Sequence, residues 1–140
     1  RQKIGMVFQN YLLMNDRDLF ENVALPLHVL GFPKRQITEL VEKSLDEFGL
    51  SNKLNHYPHE LSGGEQQRAC VARAMIKDPD ILLADEPTGN LDPVTSFELI
   101  KIFEKINKAG TTILMASHNY NLIKGRGHRI IEIQNGSVRS

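Results

Sequence analysis

Apolar positions along the chain fall into two rhythms. Ile4–Phe8 is a short apolar run followed by Gln9 and Asn10, and it reads as a strand entering a turn. From Asp18 the spacing becomes helical: Phe20, Val23, Ala24, Leu27 and Leu30 share one side. Asp18 and Glu21 form a capping-box variant at its start, and Gly31 with Pro33 marks its end. Pro26 is expected to bend or interrupt this helix, because proline has no amide hydrogen and its ring crowds the preceding turn. A second helix carries the stripe Ile37, Leu40, Val41, Leu45 and Phe48 and closes at Gly49, where a C-terminal cap glycine belongs. Residues 18–58 are thus expected to be a mostly helical block.

The rest of the chain alternates. The pattern predicts a helix over 64–77, a strand over Ile81–Asp85, a helix over Pro93–Lys108 and a strand over 112–117. The apolar alternation at 129–133, followed by Asn135 and Gly136, predicts a terminal strand and hairpin. Strands separated by helices, with continuous apolar runs such as Ile81-Leu82-Leu83-Ala84, predict a parallel sheet buried on both faces. The expected architecture is an α/β core with a helical insertion near its start.

Composition narrows the classes of function. The 140 residues make one domain's worth of chain, and 41% hydrophobic with 24% charged residues argues against disorder. Seventeen Lys and Arg balance 17 Asp and Glu, which argues against a dedicated nucleic-acid binder or a basic membrane-surface module. A single cysteine, Cys70, excludes an intrachain disulfide framework and suits a reducing compartment. No apolar run approaches the roughly 20 residues that span a bilayer, and the first residues do not read as a signal peptide. A soluble intracellular protein is expected. The chain opens on Arg1-Gln2-Lys3, without a methionine, directly before a strand, so its N-terminus looks cut.

Leu61-Ser62-Gly63-Gly64-Glu65-Gln66-Gln67-Arg68 is the sharpest local signal. Ser62 caps a helix and Glu65 closes a capping box. Two glycines in the first turn, each about 1 kcal/mol worse than alanine in a helix, need a further reason. Paired glycines bare the backbone N–H groups where the helix dipole favours an anion, and phosphate is the natural occupant. Ile81-Leu82-Leu83-Ala84-Asp85-Glu86-Pro87 is an apolar strand ending in two acids, at the strand end where parallel sheets bind ligands. An aspartate there can hold Mg²⁺, and a neighbouring glutamate can take a proton from attacking water. Successive strand residues point oppositely, so Asp85 and Glu86 suit distinct roles.

Gly89-Asn90-Leu91-Asp92-Pro93 reads as a loop into a helix, with Asp92 as N-cap and Pro93 at the first helical position; a second role for Asp92 stays open. Ser117-His118 ends the next strand, which places His118 on the acidic edge, where it can donate to a γ-phosphate or to the attacking water. The Gln9 amide can touch Mg²⁺, water or phosphate. Cys70, among Ala69, Val71 and Ala72, reads as a small core residue. His56 and His59 suggest a metal only with a further ligand, which the nearby sequence lacks. Tyr11, Leu12, Leu13, Met14 and Leu19 are either core or partner-facing.

In this order the segments resemble the ATP-binding cassette (ABC) family of ATPases, over nearly the whole chain. Phe8-Gln9 is similar to its Q-loop, 61–67 to its signature sequence, 81–86 to its Walker B strand with catalytic glutamate, 89–92 to its D-loop and Ser117-His118 to its switch histidine. The resemblance implies a P-loop NTPase-type parallel sheet core, N-terminally truncated, with an inserted helical subdomain. The helical and signature part would span about 18–78, and 1–17 with 79–140 would be the remaining core. It implies ATP and Mg²⁺ as cofactors, with Asp85 and Gln9 at the metal and Glu86, His118 and Gln9 in catalysis. Ser62, Gly63, Gly64, Glu65, Gln66 and Asp92 would meet nucleotide across a head-to-tail homodimer. It also implies an integral membrane subunit beside the Q-loop, a place on the cytoplasmic face of the plasma membrane and no nucleic-acid partner.

Within the family, LLADEPTGNLD and ALPLHVLGF are similar to the group of the FtsE, LolD and MacB families. The stretch from Met115 to Ile123 is most similar to the FtsE family, which partners the membrane protein FtsX in cell division. Lipoprotein-release or efflux ATPases of the LolD or MacB type are the nearest alternative. A soluble cassette protein of DNA repair or translation is the next, although neither a long coiled coil nor a second cassette is present in these residues. The third is an inert interaction module. None of the ten glycines precedes Lys-Ser or Lys-Thr, so the family's phosphate loop does not occur in these residues, and neither does its aromatic A-loop. The 140 residues alone are therefore expected to bind Mg-ATP weakly and not to turn it over, and to self-associate through an uncovered apolar face.

Overall fold

The computed structural model describes residues 3–140; Arg1 and Gln2, on which the reading of a cut N-terminus rests, lie outside the described residues. Strands β1 (Ile4–Phe8), β2 (Ile81–Asp85) and β3 (Thr112–Ala116) form a parallel sheet with β2 in the middle. The register sets Phe8 opposite Asp85 and Asp85 opposite Ala116. All three strands therefore end at one edge, and Gln9, Glu86 and Ser117 are the first residues beyond it.

Alternation decides what each face meets. Val7, Leu82 and Ala84 point to one side, where α3 (Gly63–Met75) and α4 (Pro93–Lys108) supply Cys70, Val71, Ala74, Leu99, Ile100 and Phe103 to a common core. Gly5 permits this approach, since a Cβ there would lie 2.7 Å from the Ala74 carbonyl oxygen. On the other side Ile4, Met6, Ile81 and Leu114 are 37% to 62% exposed. The expectation of a sheet buried on both faces is thus corrected: the described residues cover one face. An apolar run records which positions can be buried, and the cover has to come from other elements.

A second core gathers α1 (Leu19–Val29), α2 (Lys34–Glu47) and the outer side of α3 around Val23, Leu27, Ile37, Val41, Leu45 and Leu50. Helix α3 feeds both cores, giving Ala69 and Ala72 to this one. Asp18 caps α1 by accepting the Glu21 N–H at 2.8 Å. Both helices end as their glycines foretold. Gly31 (φ 78°) turns left-handed while the Phe32 N–H reaches back to the Leu27 carbonyl, and Gly49 (φ 70°) does the same with Leu50 and Leu45.

Pro26 does not interrupt α1, which runs through it to Val29. Proline in the last turns forgoes one backbone bond, and burial of Asn22, Val23, Ala24 and Leu27 on the same helix outweighs that loss. Two short 3-10 turns, Ser51–Lys53 and Pro58–Glu60, lead into α3, which starts one residue earlier than predicted and ends at Met75. Strand β3 stops at Ala116, and a one-turn helix α5 (Tyr120–Ile123) follows. The terminal strand is shifted: β4 (Glu132–Gln134) pairs with β5 (Ser137–Arg139) around Asn135 and Gly136, at φ 48° and 76°. A two-residue turn with both φ positive fixes the hairpin register, so pairing starts at Glu132 and leaves 129–131 outside it. No helix among the described residues is long and apolar enough to cross a membrane.

Candidate functional site

The sheet edge gathers the sequence-predicted acids and histidine. Asp85, the last residue of β2, is exposed and has the parity of Ile81 and Leu83, which puts its carboxylate on the open side of the sheet. Glu86 follows at φ 46°, a left-handed conformation that costs an L-residue about 1–2 kcal/mol. Its N–H donates to the Ala116 carbonyl at 2.9 Å, so the turn is tied to the end of β3. That turn carries the Glu86 side chain across to the next strand end. Glu86 Oε1 accepts the backbone N–H of His118 at 2.9 Å and faces its ring Nδ1 at 2.8 Å.

A carboxylate opposite Nδ1 makes that nitrogen the proton donor. Nε2 is then an acceptor in the neutral ring and a donor only in the imidazolium. The His118 side chain is 84% exposed and that of Glu86 24%, so the histidine is the outward member of the pair. With Oε1 committed to His118, Oε2 is the Glu86 oxygen left for a proton. Glu86 and His118 also border a cleft of about 370 Å³ completed by Thr88, Leu91, Pro93 and Asn119.

Gln9 is delivered to the same edge, one residue beyond the Phe8–Asp85 register pair. Its Nε2 donates to Asn90 Oδ1 at 3.2 Å, and Asn90 Nδ2 donates back to the Gln9 carbonyl at 3.0 Å. Gly89 makes room for this exchange, since a Cβ there would sit 2.6 Å from the Gln9 amide carbon. With Nε2 held, the amide oxygen is the end left to meet a cation. The oxygen donors of Asp85 and Gln9 suit Mg²⁺ in chemistry, since it prefers carboxylate and carbonyl oxygen.

At the tip of α3 the capping box is complete: the Glu65 N–H donates to Ser62 Oγ at 3.1 Å and the Ser62 N–H to Glu65 Oε1 at 2.9 Å. The Ser62 N–H holds the Glu65 carboxyl below its ordinary value. Gly63 and Gly64 occupy the first turn, whose amides have no intrahelical acceptor. Both glycines also have a packing reason that bared amides alone did not supply. A Cβ on Gly64 would lie 2.6 Å from Thr95 Cγ2, and one on Gly63 3.0 Å from the Tyr11 hydroxyl. Gln66 donates to the Leu61 carbonyl at 3.3 Å. Asp92 caps α4, taking the Thr95 N–H at 2.9 Å and the Thr95 hydroxyl at 2.8 Å, bonds that hold its carboxyl below the usual range.

The apolar residues after Gln9 divide. Leu19 is buried in the helical core, Tyr11 and Leu13 pack on the cores, and Leu12 is 57% exposed. Burial pushes the Cys70 thiol up to about 12, so it stays neutral and donates to the Tyr11 carbonyl at 2.8 Å. Two buried amides, Asn22 and Gln67, bind backbone carbonyls that the sequence pattern does not single out. Asn22 holds the carbonyls of Met14, Arg17 and Asp18 at 3.0–3.1 Å and receives the Met14 N–H at 2.7 Å. Gln67 donates to the carbonyls of Phe8 and Pro87. The signal available for Gln67 was a polar residue one helical turn beyond Gly63, on the side where Val71 enters the sheet core.

The family model "ABC transporter" matches residues 1–89. The chain is 48% identical over 138 residues to the cell division ATP-binding protein FtsE of Streptococcus pneumoniae serotype 2 (strain D39 / NCTC 7466), covering 99% of this chain and 60% of that protein. It is 46% identical over 138 residues to FtsE of Escherichia coli (strain K12), covering 99% of this chain and 62% of that protein. The chain thus spans 60% to 62% of the length of these relatives. Among solved structures, cbiO1 from Clostridium perfringens, part of the ABC transporter complex cbiONQ, superposes with a TM-score of 0.80 at 28% identity, covering 88% of this chain and 50% of that one.

Proposed function

The chain belongs to the ABC transporter family, and from that premise we propose that the protein is an ATP-binding and ATP-hydrolysing subunit of an ABC-type membrane complex, of the FtsE kind and active in cell division. The pairing of Glu86 with His118 across two strand ends carries this reading. Glu86 takes a proton from the attacking water at Oε2, and His118, oriented by Glu86 through Nδ1, donates from Nε2 to the γ-phosphate when its ring is the imidazolium. Asp85, with the Gln9 amide oxygen, would hold Mg²⁺, which when bound neutralises developing phosphate charge.

The tip of α3 serves the other half of a homodimer. The unpaired first-turn amides of Gly63 and Gly64, with Ser62, clamp the nucleotide held by the second subunit, and Glu65 and Gln66 stiffen that tip. Asp92, on the helix end packed against Gly64 through Thr95, lies at the dimer interface. The exposed Leu12 supports a contact beside Gln9 with an integral membrane subunit similar to FtsX, at the cytoplasmic face of the membrane. The two cores support a division into a helical and signature part, 18–78, and a remaining ATPase core, 1–17 with 79–140, with α3 shared between them.

These 140 residues contain no Gly-x-x-x-x-Gly-Lys-Ser/Thr, so the test uses the full-length protein. Glu86→Gln keeps the size of the side chain and an oxygen for the His118 N–H but removes the base. Turnover is expected to fall by about 10²–10⁴-fold while ATP-bound dimers persist in size-exclusion chromatography. Undiminished hydrolysis by the variant would dismiss the assignment.

A further inference from the structure

Helix α3 presents three side-chain donors at steps of three residues, Gln67, Cys70 and Arg73, along one face. Each ends on a main-chain carbonyl at the end of β1 or in the segment that follows it. Gln67 Nε2 donates to the Phe8 carbonyl at 3.3 Å and Cys70 Sγ to that of Tyr11 at 2.8 Å. Arg73 forks to Leu12 at 2.8 Å and Tyr11 at 3.2 Å. The segment so held contains two successive left-handed residues, Tyr11 at φ 57° and Leu12 at φ 56°, a conformation that persists only where the surroundings over-determine it.

Gln67 alone reaches further. The same Nε2 also donates to the carbonyl of Pro87, the residue after Glu86. Gln67 is fully buried, and its Oε1 has no hydrogen-bond partner among the described residues. Only an NH₂ group can face two carbonyl oxygens, so the amide orientation is fixed by its partners. A buried oxygen is left unsatisfied in return, which a residue present for packing alone would not require.

We propose that Gln67 is a positioning residue that sets Gln9 and Glu86 relative to each other. It clamps the carbonyl of the residue before Gln9 and that of the residue after Glu86 on one amide nitrogen, without touching the reacting atoms. The consequence for turnover rests on the ATPase reading above; the consequence for the two loops does not.

The test is Gln67→Met in the full-length protein, read by amide hydrogen exchange and by steady-state ATP hydrolysis. Methionine keeps the length of the side chain and removes both donors together with the unpaired oxygen. Exchange at Leu12 and at Glu86 and Gly89 is expected to quicken by about tenfold, with α1 unchanged, because the clamp on both loops is gone. The kcat is expected to fall by roughly ten- to a hundredfold, with KM for ATP within about twofold, the mark of misplaced groups rather than lost binding. Arg73→Met, which frees only the first segment, quickens exchange at Leu12 alone. Unchanged exchange at Glu86 and Gly89 in Gln67→Met overturns the proposal, as does the same pattern in Arg73→Met. If the unaltered protein hydrolyses no ATP, the ATPase reading fails and the exchange comparison still decides this inference. If Gln67→Met does not fold, Gln67→His, with one ring N–H for one of the two carbonyls, is read instead. Faster exchange in either loop then supports the clamp, and unchanged exchange in both overturns it.

Discussion

Glu65 is an acid whose placement makes part of the helix-tip stability depend on pH. The carboxylate receives the Ser62 N–H at 2.9 Å, and that bond lowers its folded-state pKa from the ordinary 4.5. A depressed folded value means that the contribution is present above the unfolded value and is lost as pH falls through the folded one. Glu65→Gln keeps an oxygen for the Ser62 N–H but does not titrate. Between about pH 5 and about pH 3 the unaltered chain should therefore lose more of its thermal unfolding midpoint than the variant does. Scans showing equal losses would remove this carboxylate from the account. Glu86 illustrates the opposite priority at the same scale: its left-handed backbone is unfavourable for an L-residue, yet it aims the carboxylate at His118.

Between elements, the closest fit is the tip of α3 against the start of α4. The Thr95 hydroxyl is pinned by Asp92 at 2.8 Å, so its methyl cannot swing away from a Cβ placed 2.6 Å off at Gly64. Gly64→Ala should cost about 1–3 kcal/mol in urea unfolding, as over-packing does elsewhere. Thr95→Ser removes the methyl and keeps the hydroxyl on Asp92, so in that background the cost should largely vanish; simple additivity would exclude the steric explanation. How much of this was legible depends on how local each cause is. Gly31 and Gly49 announced the helix ends because a left-handed cap is a property of one residue. Pro26 misled for the complementary reason: its penalty is local, whereas the burial that overrides it belongs to the helix's partners. The capping box at Ser62 and Glu65 was readable from spacing, while the contact of Gly64 with Thr95 joins residues 31 apart, beyond any periodicity. Gln67 stayed hidden likewise, since its acceptors lie 59 and 20 residues away.

At the scale of the molecule, parallel strands explain why the site was foreseeable and its surroundings were not. Parallel pairing forces Phe8, Asp85 and Ala116 to one edge, so Gln9, Glu86 and His118 had to converge there once three strands were recognised. Nothing in that logic says which face of the sheet a helix covers. The open face pairs Ile4 with Ile81, and Met6 with Leu83 and Leu83 with Leu114, giving a continuous apolar surface on which Met6 is 49% and Leu114 62% exposed. Apolar surface of this kind is removed from water most readily by a second copy of itself. The 140-residue chain should therefore sediment as a concentration-dependent mixture of monomer and larger species. Met6→Glu combined with Leu114→Glu should return it to monomer without lowering its unfolding temperature, because both side chains are already largely in water and fill no core. A single monomeric species across a wide concentration range in the unaltered chain would show that the open face is not adhesive. Loss of folding in the double variant would show instead that the face is part of what holds the sheet together.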